Sequence, residues 1–489
     1  MEIYDKLKDP VAFIIFFLTL LLPIIVGFLT LWRTKSQSDF FVGGRAMDKF
    51  VVALSAVSSG RSGWLVLGVS GTAYLVGTSA VWAAVGYITA EMFQFIYIGR
   101  KLRTQTESFN NITLLDYFES RFNDKYLLRI TGAVIIAIFI TAYVAAQFNA
   151  GAKSLSTALD LPLIYALIIS ALVILVYMIL GGYIAVAYND VVRAIIMLVG
   201  LVILPVVGLI KIGGFNVLLE TLSRLNPAFI DPFSLSIGAF FGFVGIGLGS
   251  PGQPHIVVRY MSINDPEKLR YATVIGTFWN VVMAWGAVFI GLLGRIIVPV
   301  VENLPNADKE MVYLVLSSQY FGPLLYGLLV GGIFAAILST ADSQLLVVAS
   351  TFVRDIYEKI IYEKTGKKKS KPPLSEATKL MLSRIVVFIS GVLAIILAYA
   401  AKEAIFWLVL FAWGGLGASF GTSLIFSLYW KRTTKYGVFA GMLVGTVVTI
   451  AWKLYLKEPT GIYELIPAFF GSALAIFIVS LLTRPSHNH

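Results

Sequence analysis

No cysteine occurs among the 489 residues, which excludes disulfides, thiolate catalysis and cysteine-ligated metals. Histidine is nearly as scarce. There are three, and His487 and His489 sit in the tail, so a histidine-rich metal centre is excluded as well. Charge is the third shortage: 13% of the residues are charged and 58% are hydrophobic. A soluble chain of this length needs far more charge to cover its surface, so the bilayer solvates this one. No hydrophilic stretch is long enough for a soluble domain. The longest, residues 362–379, carries six lysines and reads as a cytoplasmic linker. No cleavable-leader pattern opens the chain, because the first apolar run is long enough to remain as a span.

What is present is apolar runs. A spanning helix takes about 20 such residues, and thirteen segments qualify: 10–32, 47–69, 77–98, 127–153, 160–180, 188–210, 236–254, 272–299, 318–353, 380–401, 404–429, 435–456 and 464–483. The fold class expected is an all-α polytopic membrane protein. The net charge of +11 raises the question of nucleic acid, and its distribution answers no. With loops assigned alternately from an outside N-terminus, one face collects 27 of the 38 Lys and Arg. That asymmetry is the positive-inside rule. It predicts a plasma-membrane protein with its C-terminus in the cytoplasm. A short surface helix, FNVLLETLSRL, is expected in the outer loop before Asn226.

Two spans contain helix breakers in matching places. Residues 55–64 read SAVSSGRSGW and residues 245–255 read GIGLGSPGQPH. Gly frees φ, and Pro fixes φ and removes a donor, so both stretches unwind and leave carbonyls unpaired. Broken helix at membrane depth survives only inside protein or around a polar cavity. Paired breaks in two halves of a chain point to a transporter's binding site. With the second span numbered 1, the broken spans are 1 and 6, each opening a group of five. The groups, 47–210 and 236–429, have opposite orientation. One span precedes them (10–32) and two follow (435–483). This arithmetic describes an inverted five-plus-five repeat within a single domain, 1–489. Close packing through small residues is the plainer reading of either break alone.

Several ordered motifs go further: SDFFVGGR (38–45), SGW (62–64), DYFESRF (116–122), LGGYIAVAYND (180–190), GQPHIVVRYM (252–261), AAILSTADSQLLV (335–347) and WKRTTKYGVFAGMLVG (430–445). In these the chain resembles the sodium/solute symporters, most closely the bacterial sodium/proline branch. The resemblance implies the inverted-repeat fold of the leucine-transporter type, alternating access, and cation-coupled symport of a small organic solute such as an amino acid or organic acid. It implies a sodium site made by Ser58, Arg61 and Ala336 through backbone oxygens and by the hydroxyls of Ser339 and Thr340. It implies a second sodium site at Asp190, Ser339, Asp342 and Ser343, and a solute pocket at Ser62, Gly63, Tyr143, Gln147, Ile246, Ser250 and Gln253. From the residues alone, Ser339 and Thr340 also suit bonding to their own helix. Asp190 suits pairing with Arg193 at i, i+3, and Tyr143 suits core packing.

The chain departs from the proline branch where that branch carries aspartate and methionine before SGW. Here stand Gly60 and Arg61. An unpaired guanidinium at ~5 Å from a sodium ion costs roughly 3 kcal/mol at an effective dielectric of about 20. Glu91 and Asp342 are the acids expected to neutralise it; Glu91 lies nine residues before Arg100, about 14 Å into its helix. Arg61 otherwise replaces the sodium, giving an ion-independent or proton-coupled carrier, or binds a solute carboxylate through its fork. The distant alternative is an intramembrane serine hydrolase, since GASFG (417–421) fits G-x-S-x-G and His255 supplies a base. That motif belongs after a strand, and here it lies in a helical run, so the chain reads as a carrier rather than an enzyme.

Overall fold

A computed structural model describes residues 6–124, 126–366, 374–400 and 405–484. The middle of the linker expected at 362–379, residues 367–373, and the tail histidines lie outside the described residues. Among the described residues, ten helices are long and apolar enough to cross a membrane, with shorter apolar helices at Lys49–Gly60, Leu163–Leu175 and Ile237–Gly252. No strand occurs among the described residues.

Burial grades the helices into core and lipid-facing. Span 8, Pro323–Tyr362, has 83% of its apolar window buried, whereas span 9, Glu376–Ala400, has 28%. A helix that is apolar all round and buried is a core helix. Span 8 is therefore the central post, and the outer face of span 9 (Phe388, Ile389, Leu393, Ile396) meets lipid. The leading helix Pro10–Thr30 lies against span 8 because glycine lets the backbones approach. A Cβ at Gly327 would stand 2.3 Å from the Ala12 carbonyl oxygen.

Both breaks are present. Span 1 runs Lys49–Gly60 and stops at Arg61, whose φ of −116° and ψ of 73° are not helical. It resumes in a widened turn at Trp64–Val69 and continues as Ser70–Val76. Span 6 is helical over Ile237–Gly245, tightens to a 3-10 helix over Ile246–Gly252, and extends at Gln253 before a second helix, Pro254–Ser262.

That second helix corrects the sequence reading, which ended span 6 at residue 254. Proline at a first helical position opens a helix because its missing N–H is not needed there. His255 therefore lies within the second half-helix and is fully buried. Span 5 also begins earlier than expected. The chain turns at Gly182 (φ 61°) and runs helical over Gly182–Ile212, so Asp190 sits well inside the helix. The surface helix before Asn226 forms as expected, Phe215–Leu225.

Two polar helices, Gln37–Val42 and Leu114–Phe122, were not expected. Both have side-chain N-caps, Ser36 and Thr113. A buried ionic knot ties the second to spans 3 and 8. Arg129 lies 2.8 Å from Asp116 and also pairs with Glu119 and Asp355. Burial pushes the Asp116 carboxyl up, but Arg354, Arg129 and the Ile112 N–H outweigh it and hold the group below its ordinary range.

Candidate ion and solute site

Span 8 meets the last carbonyls of the Lys49–Gly60 half-helix, those of Ser58 and Ser59. Ser339 Oγ lies 3.0 Å from the Ser58 carbonyl oxygen and 3.0 Å from that of Ala336. Thr340 Oγ1 lies 2.9 Å from the Ser59 carbonyl oxygen and 3.4 Å from that of Ala336. Four of the five residues expected at the first sodium site thus converge, with the Ser59 carbonyl joining them. Arg61, expected to contribute its backbone oxygen, meets the nest through its N–H instead, which donates to the Ser58 oxygen at 3.2 Å. Every group in the nest is a neutral hard oxygen, the donor type a small alkali cation prefers. The negative C-terminal end of the Lys49–Gly60 half-helix adds its dipole. Ser339 and Thr340 bond both their own helix and span 1, so neither reading of their hydroxyls excludes the other.

The Arg61 side chain turns away from the nest. Its guanidinium pairs with Glu91, donates from Nε to Asn280 Oδ1 at 2.8 Å, and stacks 3.7 Å above the Tyr87 ring. Asn280 in turn donates to the same Glu91 oxygen at 2.6 Å. Of the two acids expected near Arg61, Glu91 is the partner; Asp342 instead lies 2.5 Å from Arg193. The charge is therefore cancelled, and the repulsion expected of an unpaired guanidinium does not apply.

A small cavity adjoins the break, lined by Gly60, Arg61, Trp64, Tyr87, Tyr143, Ile246, Val409, Leu410 and Trp413. Of the expected solute residues, Tyr143 and Ile246 line it. Ser62, Gly63 and Gln147 lie beside it: Gln147 Oε1 accepts the Gly63 N–H at 3.2 Å, and Ser62 Oγ accepts that of Trp64 at 3.1 Å. Ser250 and Gln253 are placed differently. Ser250 pairs with Gln94, and Gln253 Nε2 donates to the Gly249 and Trp413 carbonyls at 2.9 and 3.0 Å. They satisfy the second break rather than line the cavity. Trp413 completes that repair by donating to the Ile246 carbonyl at 2.8 Å. Buried polar atoms without a hydrogen-bond partner gather around the break: Gln147 Nε2, Trp64 Nε1, Glu91 Oε1 and Gln253 Oε1. Such orphans are costly unless a ligand or water meets them. Trp64, Tyr87, Val409, Leu410 and Trp413 escaped the sequence reading, since aromatic and aliphatic residues in apolar helices look like packing.

GASFG is packing too. Its residues form a widened turn, Gly417–Gly421, within span 10, and a Cβ on Gly417 would stand 2.4 Å from the Gly249 Cα. The motif lets span 10 lie on the second break.

Two broken helices around a buried oxygen nest and a polar-edged cavity define a polytopic membrane carrier that handles a small cation and a small solute. The profile of the Sodium:solute symporter family matches residues 40–445, and the chain belongs to that family. It is 34% identical to the osmoregulated proline transporter OpuE of Bacillus subtilis (strain 168) over 96% of this chain and 94% of the relative. It is 35% identical to the sodium/proline symporter of Staphylococcus aureus (strain JH9) over 95% of this chain and 91% of the relative. Among solved structures, a Na+-coupled sialic acid symporter in a substrate-bound outward-open state superposes with a TM-score of 0.82 at 17% identity, covering 98% of this chain and 99% of the other. The nucleobase-cation-symport-1 transporter Mhp1 superposes with a TM-score of 0.57 at 13% identity, covering 92% and 96%. The inverted five-plus-five architecture of the leucine-transporter type is thus this chain's fold.

Proposed function

We propose that the chain is a sodium-coupled symporter of a small organic solute in the plasma membrane, with its N-terminus outside and its C-terminus in the cytoplasm. The observation that carries the reading is the pair of span 8 hydroxyls, Ser339 and Thr340, set against the carbonyls of Ser58 and Ser59 at the break. When bound, sodium draws these oxygens inward and ties span 1 to span 8. The adjoining cavity receives the solute, with Tyr143, Ile246 and the break itself as its walls. Proline is the first solute to test, because the relatives named above are proline transporters. The orientation of the Arg61 side chain supports sodium coupling over a tethered-cation carrier, because the guanidinium leaves the nest for Glu91 and Asn280.

The test is uptake of labelled proline, other amino acids and organic acids into proteoliposomes under an inward sodium gradient, with potassium as the control. Ser339→Ala and Thr340→Ala are each expected to raise the half-saturating sodium concentration by about tenfold or more, the loss of a cation ligand worth at least ~1.4 kcal/mol. Uptake indifferent to sodium, with both variants matching wild type, would overturn the site.

A further inference from the structure

One helical turn along spans 1 and 8 from the oxygen nest lies a second buried polar cluster. Asp190 Oδ2 accepts from Ser55 Oγ at 2.7 Å and Ser59 Oγ at 3.0 Å, and lies 3.3 Å from Arg259 Nη2. Asp342 lies 2.5 Å from Arg193 through one carboxylate oxygen and accepts from Ser343 at 3.0 Å through the other. Arg193 also stands 3.7 Å from Asp190. Arg259 donates to Ser343, and to Ser55 at 3.2 Å. Arg259 is 1% exposed, Arg193 2%, and both aspartates 0%. Two carboxylates face two guanidiniums, and the cluster is electrically balanced.

These acids and hydroxyls are the set expected to hold a second sodium. We propose instead that Arg193 and Arg259 are tethered cations that fill this cluster, so that one sodium, held at the nest around Ser58 and Ser339, accompanies each solute. The proposal rests on the sodium-coupled reading above. Beside either guanidinium at ~4 Å a sodium ion meets a repulsion worth about a thousandfold in affinity at an effective dielectric of about 20, which offsets the attraction of the paired carboxylate. Arg259 and Ser343 also line a cavity whose wall includes Thr113, Tyr183 and Asp355. Charge balance excludes the ion.

The experiment is the sodium-to-solute ratio of the purified full-length chain in proteoliposomes. It is read from the membrane potential at which solute flux reverses under a set sodium gradient. The wild type is expected to give a ratio of one. Arg259→Met exposes the Asp190 carboxylate and is expected to raise the ratio to two, with a steeper sodium dependence. The charge-balanced pair Arg259→Met with Asp190→Asn is expected to keep a ratio of one. A wild-type ratio of two overturns the proposal, and so does a folded Arg259→Met variant that still couples a single sodium. If Arg259→Met does not fold, the wild-type ratio decides alone. Solute flux that ignores sodium altogether strikes the proposed function rather than this inference.

Discussion

Arg61 is 2% exposed and shares its break with the ion nest, so its neutralising partner has consequences beyond packing. Glu91 supplies the only carboxylate paired with it among the described residues, and Asn280 holds both side chains at once. Glu91→Gln would leave a buried guanidinium uncompensated, a loss of roughly 3–5 kcal/mol. It would also leave an uncancelled positive charge near the nest, weakening sodium binding. Thermal unfolding in detergent and the half-saturating sodium concentration report the two effects separately. Arg61→Met in the Glu91→Gln background is expected to recover both. Unchanged stability and sodium dependence in the single variant would show that the pair is not what neutralises the charge. At this scale, charges were legible and neutral groups were not. Glu91 stands out because an acid deep in an apolar helix is costly and needs a reason. Asn280 and Tyr87 complete the same network, yet an amide or a ring inside an apolar run carries no sequence signal of its own. Ser250 and Gln253 are the converse case, because polar residues at a break read equally well as solute ligands or as its repair.

The second break is an element held open by its neighbours. Its carbonyls are met by Gln94, Gln253 and Trp413, and its glycines let span 10 approach at backbone distance. A Cβ at Gly252 would stand 2.4 Å from the Leu416 carbonyl oxygen and 2.6 Å from the Gly417 Cα, neither of which is a flexible side chain. Gly252→Ala is therefore expected to destabilise by about 1–3 kcal/mol, the usual cost of overpacking, and to slow transport. Gly322→Ala, where nothing lies within 4 Å of the new Cβ, is expected to change neither. A differential thermal shift of the two purified variants checks this; equal midpoints would mean that the contact yields. The breaks were legible because Gly and Pro concentrate in both. The half-helix after Pro254 was not, because proline both ends and begins helices and only the packing of Ile256 against Gly60 settles which.

For the whole molecule, length and hydropathy made the membrane-crossing helices legible, while lysine and arginine supply an expected direction. Orientation also decides which way the carrier faces a sodium gradient, and it is testable without an engineered background because the chain has no cysteine. Asn226, exposed after the surface helix Phe215–Leu225, should lie outside. Lys431, exposed between spans 10 and 11, should lie in the cytoplasm. A membrane-impermeant maleimide on intact cells is expected to label Asn226→Cys and to leave Lys431→Cys unmodified until the membrane is opened. The reverse pattern would invert the carrier and place the cavity beside Arg259 and Asp355 on the outer side. The oxygen nest and the neutralised Arg61 would survive that result, because both are set by helix packing and not by the side of the membrane they face.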